Sequence, residues 1–203
     1  MSALPLMLDG GSVSALVVGG GAVAARKVAA LVEAGATVRV VAPEISAELE
    51  ALAVRAARLS VIRNRYASEQ LGDALLVVAA TSDARLNARI AADARAGGRL
   101  VNVVDAPELG NFVTPAVHRS GEVVVAVSTG GVPAAASRIR DAIARSIGES
   151  YGAAVRELWT LRRALIDGGR RERWIDASHS LVGTEFCRDV ESGEFAARVA
   201  EWR

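Results

Sequence analysis

Residues 13–44 read VSALVVGGGAVAARKVAALVEAGATVRVVAPE, and this stretch decides the fold. Residues 13–18 are apolar and end in three glycines, Gly19–Gly21, after which residues 22–33 carry helix-forming residues with apolar side chains at helical spacing. Residues 37–42 are again apolar and rich in β-branched side chains. The stretch therefore predicts a βαβ unit in which a glycine turn joins the first strand to the helix.

The same alternation of strands and helices continues as far as residue 104. Helical patterns cover residues 46–57 and 84–96, and strand patterns cover residues 59–63, 74–79 and 99–104. Such an alternation favours an α/β fold with a doubly wound, mostly parallel sheet of the Rossmann type. We expect Ser82 or Asp83 to cap the helix at 84–96.

Beyond Asp105 the pattern changes. A loop-like stretch broken by prolines precedes a strand over 122–128 and a helix that begins near Pro133, and from Tyr151 onward the chain is almost entirely helical in pattern. The sequence therefore predicts a cofactor-binding domain over 1–110, a small α/β region over 111–150 and a helical C-terminal region over 151–203.

Composition excludes several classes of protein. Of the 203 residues 51% are hydrophobic and the formal net charge is +1, which argues against disorder and against nucleic-acid binding. The first ten residues lack the basic start of a signal peptide, and the apolar runs are too short to cross a bilayer. Cys187, His118 and His179 are far apart in sequence, so no metal site is expected. These features favour a cytoplasmic protein that binds neither nucleic acid nor membrane.

The glycine turn has the spacing of a dinucleotide-binding fingerprint. Gly19, Gly21 and Ala24 occupy the three small positions of G-x-G-x-x-G/A. Gly19 permits the tight turn, Gly21 lets a pyrophosphate approach the backbone, and the small side chain of Ala24 lets the helix pack closely on the strand. Free N–H groups at the start of the helix would then face the phosphates.

An acidic residue follows at the expected distance. Glu44 lies 23 residues beyond Gly21, after the second predicted strand, where a carboxylate can accept hydrogen bonds from the adenosine ribose. Because it would repel a 2′-phosphate, we expect NAD rather than NADP; Arg39 lies inside the strand, away from its tip. Thr81 follows another strand at the same edge and is either a cofactor contact or a turn residue that caps the next helix.

Four motifs in this order resemble one family. VVGGGAVAARK at 17–27, VVAPE at 40–44, VNVVDAPELGNF at 101–112 and VSTGG at 127–131 resemble the precorrin-2 dehydrogenase family of siroheme synthesis, which includes the dehydrogenase and ferrochelatase half of the fused bacterial siroheme synthases. The resemblance covers residues 4 to about 150. One departure is that Gly131-Val132-Pro133 is a residue shorter than the family pattern and lacks its lysine.

The resemblance implies a function and a set of site residues. The implied reaction is NAD-dependent oxidation of precorrin-2 to sirohydrochlorin in a homodimer, with residues 111–150 as the dimerisation and substrate region. Some family members also insert ferrous iron. By motif match, Ala22, Val23, Pro43 and Glu44 fall at NAD-contacting positions, and Asp105 falls on the aspartate assigned as general base. The residues themselves leave an alternative for Asp105, which is a turn residue that caps the loop at Pro107.

The anionic tetrapyrrole substrate would need cations and backbone donors. Arg119, Arg138 and Arg140 are near the relevant motifs, and guanidinium groups match carboxylates in two-point hydrogen bonds. Ser128 begins the segment that contains the two glycines and could contribute to an anion-accepting turn. The alternatives are solvated helix arginines and a serine that caps the next helix.

Three functions stay open on sequence alone. The leading one is a precorrin-2 dehydrogenase, and the second is a bifunctional dehydrogenase and ferrochelatase. The third, of another class, is a non-catalytic NAD-binding regulatory module, which would use the glycine turn and Glu44 but leave Asp105 without a role.

Overall fold

A computed structural model describes residues 3–203, which form two compact units. The first unit ends at Thr114, and the second is Pro115–Arg203. The finer division into segments 1–110, 111–150 and 151–203 stays a prediction. Within residues 3–203, no helix combines the length and the apolar character that a bilayer crossing requires.

A five-stranded parallel sheet forms the centre of the first unit. Its strands are β1 (Ser14–Val18), β2 (Thr37–Val41), β3 (Leu59–Ile62), β4 (Leu76–Ala79) and β5 (Leu100–Val103), and its helices are α1 (Ala22–Glu33), α2 (Ala47–Arg55) and α3 (Ala84–Ala96). The strand order is β3-β2-β1-β4-β5, with β1 paired in parallel to both β2 and β4. The chain thus winds outward from β1 in both directions, which confirms the predicted doubly wound Rossmann fold.

Side chains from both faces of this sheet are buried. Val17 and Val40 pack among the apolar residues of α1 and α2, whereas Leu16 and Val77 pack on the other face against Ile90 of α3. Each such side chain stabilises the fold by roughly 1.5–3 kcal/mol when fully buried. Two covered faces explain why these strands are almost continuously apolar rather than alternating.

Side chains cap two of the three helices of the first unit, α2 and α3. The carboxylate of Asp83 accepts hydrogen bonds from the N–H groups of Arg85 at 2.9 Å and Leu86 at 3.2 Å, which confirms the predicted cap of α3. Ser46 accepts one from the N–H of Leu49 at 3.4 Å at the start of α2. By contrast, no side chain among the described residues caps α1, which begins after Gly21.

The second unit begins with a β-hairpin. Its elements are β6 (Ala116–Ser120), β7 (Val123–Val127), α4 (Pro133–Ala144), α5 (Glu149–Asp167), α6 (Arg171–Leu181), α7 (Phe186–Ser192) and α8 (Phe195–Ala200). The expectation of a loop before residue 122 is wrong at β6. This segment, AVHRS, has little apolar alternation of its own, and its strand conformation comes from antiparallel pairing with β7.

The C-terminal helices share an apolar core with one charged group inside it. Leu161, Leu165 and Leu181 are fully buried there, yet the carboxylate of Asp189 is also buried. Burial alone would raise the pKa of Asp189, but its hydrogen bonds and charge pairing with Arg198 and Arg188 outweigh that effect and lower the pKa. The buried carboxylate is therefore ionised and paired, as an interior charge must be.

Candidate active site

The first glycine of the turn is required by the protein itself. Gly19 follows β1 with φ +132°, a conformation that L side chains rarely adopt, and its N–H donates to the carbonyl of Val41 at 2.9 Å. A Cβ at this position would lie 2.3 Å from the carbonyl oxygen of Ala80. No other residue fits between the ends of β1, β2 and β4.

The second glycine brings two loops together. A Cβ on Gly20 would lie 1.8 Å from the carbonyl oxygen of Glu44, and the N–H of Ser46 donates to the carbonyl of Gly20 at 2.8 Å. The loop after β2 therefore lies directly against the glycine turn, and Pro43 and Glu44 are exposed beside it.

The third glycine is not required by any contact within the protein. Gly21 has φ −86° and ψ −176°, which any residue can adopt. Apart from its chain neighbours, no atom of residues 3–203 lies within 4 Å of a Cβ built there. A glycine that neither conformation nor packing demands fits a backbone that a ligand approaches closely, as the pyrophosphate of a dinucleotide does.

The start of α1 offers the donors that such a ligand needs. Ala22, Val23 and Ala24 occupy the first turn, so their N–H groups have no carbonyl partner within the helix. Ala22 and Val23 are exposed, and the first turn contains no acidic residue. The positive end of the helix dipole is thus open to an anion.

Thr81 and Asp105 lie at this same edge of the sheet and are joined by Asn87, a buried residue of α3. The side-chain Nδ2 of Asn87 donates to the Thr81 carbonyl at 3.1 Å and to Asp105 Oδ1 at 3.0 Å. Its Oδ1 accepts from the Thr81 N–H at 3.2 Å and from the Thr81 hydroxyl at 2.7 Å. The ends of β4 and β5 are therefore tied to one amide group.

These contacts concern the two roles that the sequence left open for Thr81 and for Asp105, a site contact or a turn residue. Thr81 forms the turn before α3, where its Oγ1 also accepts from the N–H of Asp83 at 3.2 Å, and its contact with the cofactor stays a prediction. The carboxylate of Asp105 is exposed, and within residues 3–203 it bonds to Asn87 and not to the loop at Pro107. Asp105 thus has one oxygen engaged and the other open.

The rest of the Asp105 motif is structural. The Asn111 side chain accepts from the N–H of Val101 at 2.7 Å and donates to the carbonyl of Arg99 at 3.1 Å. Buried Asn102 donates to the carbonyl of Phe112 at 3.2 Å. These bonds close the loop of residues 105–110 over the end of β5 and hold Asp105 at the edge of the sheet.

The single lysine of the chain anchors a neighbouring segment. Lys27 of α1 is half-buried, and its Nζ donates to the hydroxyl of Thr114. Burial lowers the pKa of Lys27, and the nearby positive charge of Arg26 lowers it further. The lysine at the end of the first motif therefore fixes the end of the first unit.

The predicted substrate residues lie in the second unit and are spread over three elements. Arg119 lies opposite Val124 in the hairpin, whereas Ser128 directly follows β7, four residues further along that strand, a distance of roughly 13 Å. Arg138 is exposed on α4. The hairpin therefore does not bring Arg119 and Ser128 side by side.

Two contacts qualify the remaining candidates of this unit. Arg140 is engaged, with its guanidinium 2.6 Å from the carboxylate of Asp141 and 3.4 Å from the carbonyl of Val117. The helix-capping alternative for Ser128 does not form, because none of the described side chains caps α4; the hydroxyl of the neighbouring Thr129 donates instead to the carbonyl of Val132 at 2.7 Å. Among residues 3–203, no three His, Cys, Asp or Glu side chains are grouped to hold a metal ion.

Comparison with known proteins points to one family. Residues 6–116 match the family described as "Putative NAD(P)-binding". The chain is 49% identical over 138 residues to a siroheme synthase of Ectopseudomonas mendocina, which covers 68% of this chain and 29% of that protein. It is 37% identical over 207 residues to a siroheme synthase of Methylobacillus flagellatus, with 98% and 43% covered.

A solved structure matches the whole chain. The structure of SirC, a precorrin-2 dehydrogenase, superposes with a TM-score of 0.76 at 28% identity and covers 98% of this chain and all of that one. This chain spans only 29% of the length of the first of these siroheme synthases.

Proposed function

Because this chain belongs to the NAD(P)-binding family that its residues 6–116 match, we propose that it catalyses the NAD-dependent oxidation of precorrin-2 to sirohydrochlorin. The observation that carries the proposal is the arrangement at one edge of the sheet. Asp105, at the end of β5, shares this edge with the glycine turn that ends β1. The full-length likeness to a precorrin-2 dehydrogenase supports the choice of substrate.

The residues at this edge divide the work of the reaction. The free N–H groups of Ala22 and Val23 would hold the pyrophosphate over Gly21, and the carboxylate of Glu44 would accept from the ribose hydroxyls. NAD supplies the hydride acceptor when bound. Asp105 accepts the proton that precorrin-2 loses as the hydride leaves, so the products are sirohydrochlorin, NADH and a protonated carboxyl.

The second unit would contribute binding of the anionic substrate. We assign Arg119, Arg138 and Ser128 to this role because guanidinium and hydroxyl groups pair with carboxylates. Their spread along the hairpin and α4 fits a ligand with several carboxylates around its edge better than a small one.

Turnover of precorrin-2 with NAD is the direct test. We expect the purified protein to form NADH and sirohydrochlorin in equal amounts, measured by absorbance under anaerobic conditions. A protein that binds NAD with no turnover of precorrin-2 would overturn the proposal and favour the regulatory module.

Iron and assembly belong to the same proposal. Ferrous iron as a second substrate, a homodimer and a cytoplasmic location remain predictions. Incubation of the protein with sirohydrochlorin and Fe²⁺ separates the two enzyme functions, since no acceleration over spontaneous insertion leaves oxidation alone.

Glu44 should set the choice between the two dinucleotides. We expect the native protein to prefer NAD over NADP by at least about tenfold in kcat/KM, because the carboxylate repels a 2′-phosphate. The Glu44→Gln variant should lose most of this preference, measured from initial rates with each cofactor. Glu48→Gln, an exposed neutralisation in the first turn of α2, is the matched control and should leave the preference unchanged.

A further inference from the structure

We propose that Asn87 is a positioning residue that fixes the carboxylate of Asp105 and leaves Oδ2 as the oxygen that accepts the proton. This inference rests on the proposed function, since it concerns the base of that reaction. It deepens the function by assigning a role to a buried side chain that would not itself touch the substrate.

The amide of Asn87 is both buried and fully used. The residue is 1% exposed, and its two N–H donors and the two lone pairs of its oxygen all have partners, at 2.7–3.2 Å. Three of the four bonds go to Thr81 and one goes to Asp105. A buried amide that is completely satisfied has one preferred position.

The bonds to Thr81 also fix which way round the amide lies. The backbone N–H of Thr81 can only donate, so it selects Oδ1 of Asn87, and the backbone carbonyl can only accept, so it selects Nδ2. Rotation of the amide by half a turn would place its oxygen against the Thr81 carbonyl and the Asp105 carboxylate. The N–H that faces Asp105 is therefore locked in place.

This lock determines the chemistry of Asp105. A donor aimed at Oδ1 fixes the orientation of the carboxylate and occupies one of its two oxygens. Because Oδ1 is occupied, the proton goes to Oδ2. The same amide holds the Thr81 loop, so the base is also fixed relative to the end of β4, the strand that lies beside the glycine turn.

Two substitutions separate this role from mere packing. Asn87→Asp preserves the shape and the acceptor for Thr81 but turns a second carboxylate oxygen toward Asp105. We expect the acid limb of the kcat/KM profile to move by at least about one pH unit to higher pH, since two close carboxylates resist double ionisation. Asn87→Ala releases the carboxylate of Asp105 and should lower kcat at least about tenfold, with the KM for NAD little changed.

The matched control lies on the same helix and face. Ile90→Val removes one methyl group from a fully buried position of α3 and should leave both kcat and the acid limb unchanged. If Asn87 only packs the helix, Asn87→Ala will keep the native kcat as Ile90→Val does, and that result overturns the proposal.

A second measurement needs neither turnover nor a core substitution. In protein labelled with ¹⁵N, the side-chain amide protons of Asn87 should shift with pH as the carboxylate of Asp105 titrates. This titration should vanish in Asp105→Asn, whose substitution is at an exposed position. An unchanged titration would overturn the assignment of Asn87, whereas a native protein that shows the titration but does not oxidise precorrin-2 would refute the proposed function alone.

Discussion

In the Asp105→Asn variant, kcat for precorrin-2 oxidation is expected to fall by at least about tenfold while NAD still binds. The loss of a general base typically lowers the rate by about 10²–10⁴-fold. Asparagine has nearly the shape of aspartate but cannot accept a proton, so the hydride would leave without a base to take the proton. Steady-state formation of NADH gives kcat, and quenching of protein fluorescence gives the affinity for NAD.

A neighbouring carboxylate provides the control. Glu108 is an exposed acidic residue three positions further along the same loop, so Glu108→Gln removes the same charge without touching Asn87. We expect this variant to keep native kcat. Full activity in Asp105→Asn would refute the base assignment, and loss of activity in both variants would indicate a general effect of loop charge.

Alanine at Gly19 and at Gly21 should produce opposite kinds of loss. At Gly19 a Cβ meets the Ala80 carbonyl at 2.3 Å in a backbone conformation that disfavours it, so we expect a loss of roughly 3 kcal/mol or more in the free energy of unfolding. At Gly21 the Cβ meets open space, so the melting temperature should stay near the native value. The same Cβ would occupy the approach of the pyrophosphate, and we expect the Kd for NAD to rise at least about tenfold.

Thermal unfolding followed by circular dichroism, together with NAD titration, checks both halves of this prediction. Gly98→Ala serves as the control, because Gly98 has φ +67° with no neighbour within 4 Å among the described residues. It carries the conformational strain without the clash and should cost only about 1 kcal/mol. Unchanged NAD affinity in Gly21→Ala would show that the dinucleotide does not pass over this residue.

The sequence predicted the Rossmann sheet well for a physical reason. Strands buried on both faces must be apolar along most of their length, and the turn at Gly19 admits only glycine. Both features are therefore visible in the sequence as apolar runs and as a glycine motif. The strand β6 left none, because its conformation depends on β7 rather than on its own side chains.

Asn87 was missed although a signal was present. It lies between Leu86 and Ile90 in α3, where helical periodicity points it at the core, and a polar residue there implies a buried hydrogen-bonding partner. Its partners, Thr81 and Asp105, are 6 and 18 residues away, and only the parallel arrangement of β4 and β5 brings them together. The separation of Arg119 from Ser128 likewise depends on the hairpin register, which composition does not encode.

The side chain of Asn111 has a consequence for assembly. β5 is an edge strand, and an open edge invites another strand to add to it. Here Asn111 occupies the N–H of Val101 and the carbonyl of Arg99, and its own N–H takes the carbonyl of Val101 at 2.9 Å. These backbone groups in the middle of the edge are thereby paired within the chain, so a strand of a second copy could add along β5 only by displacing Asn111.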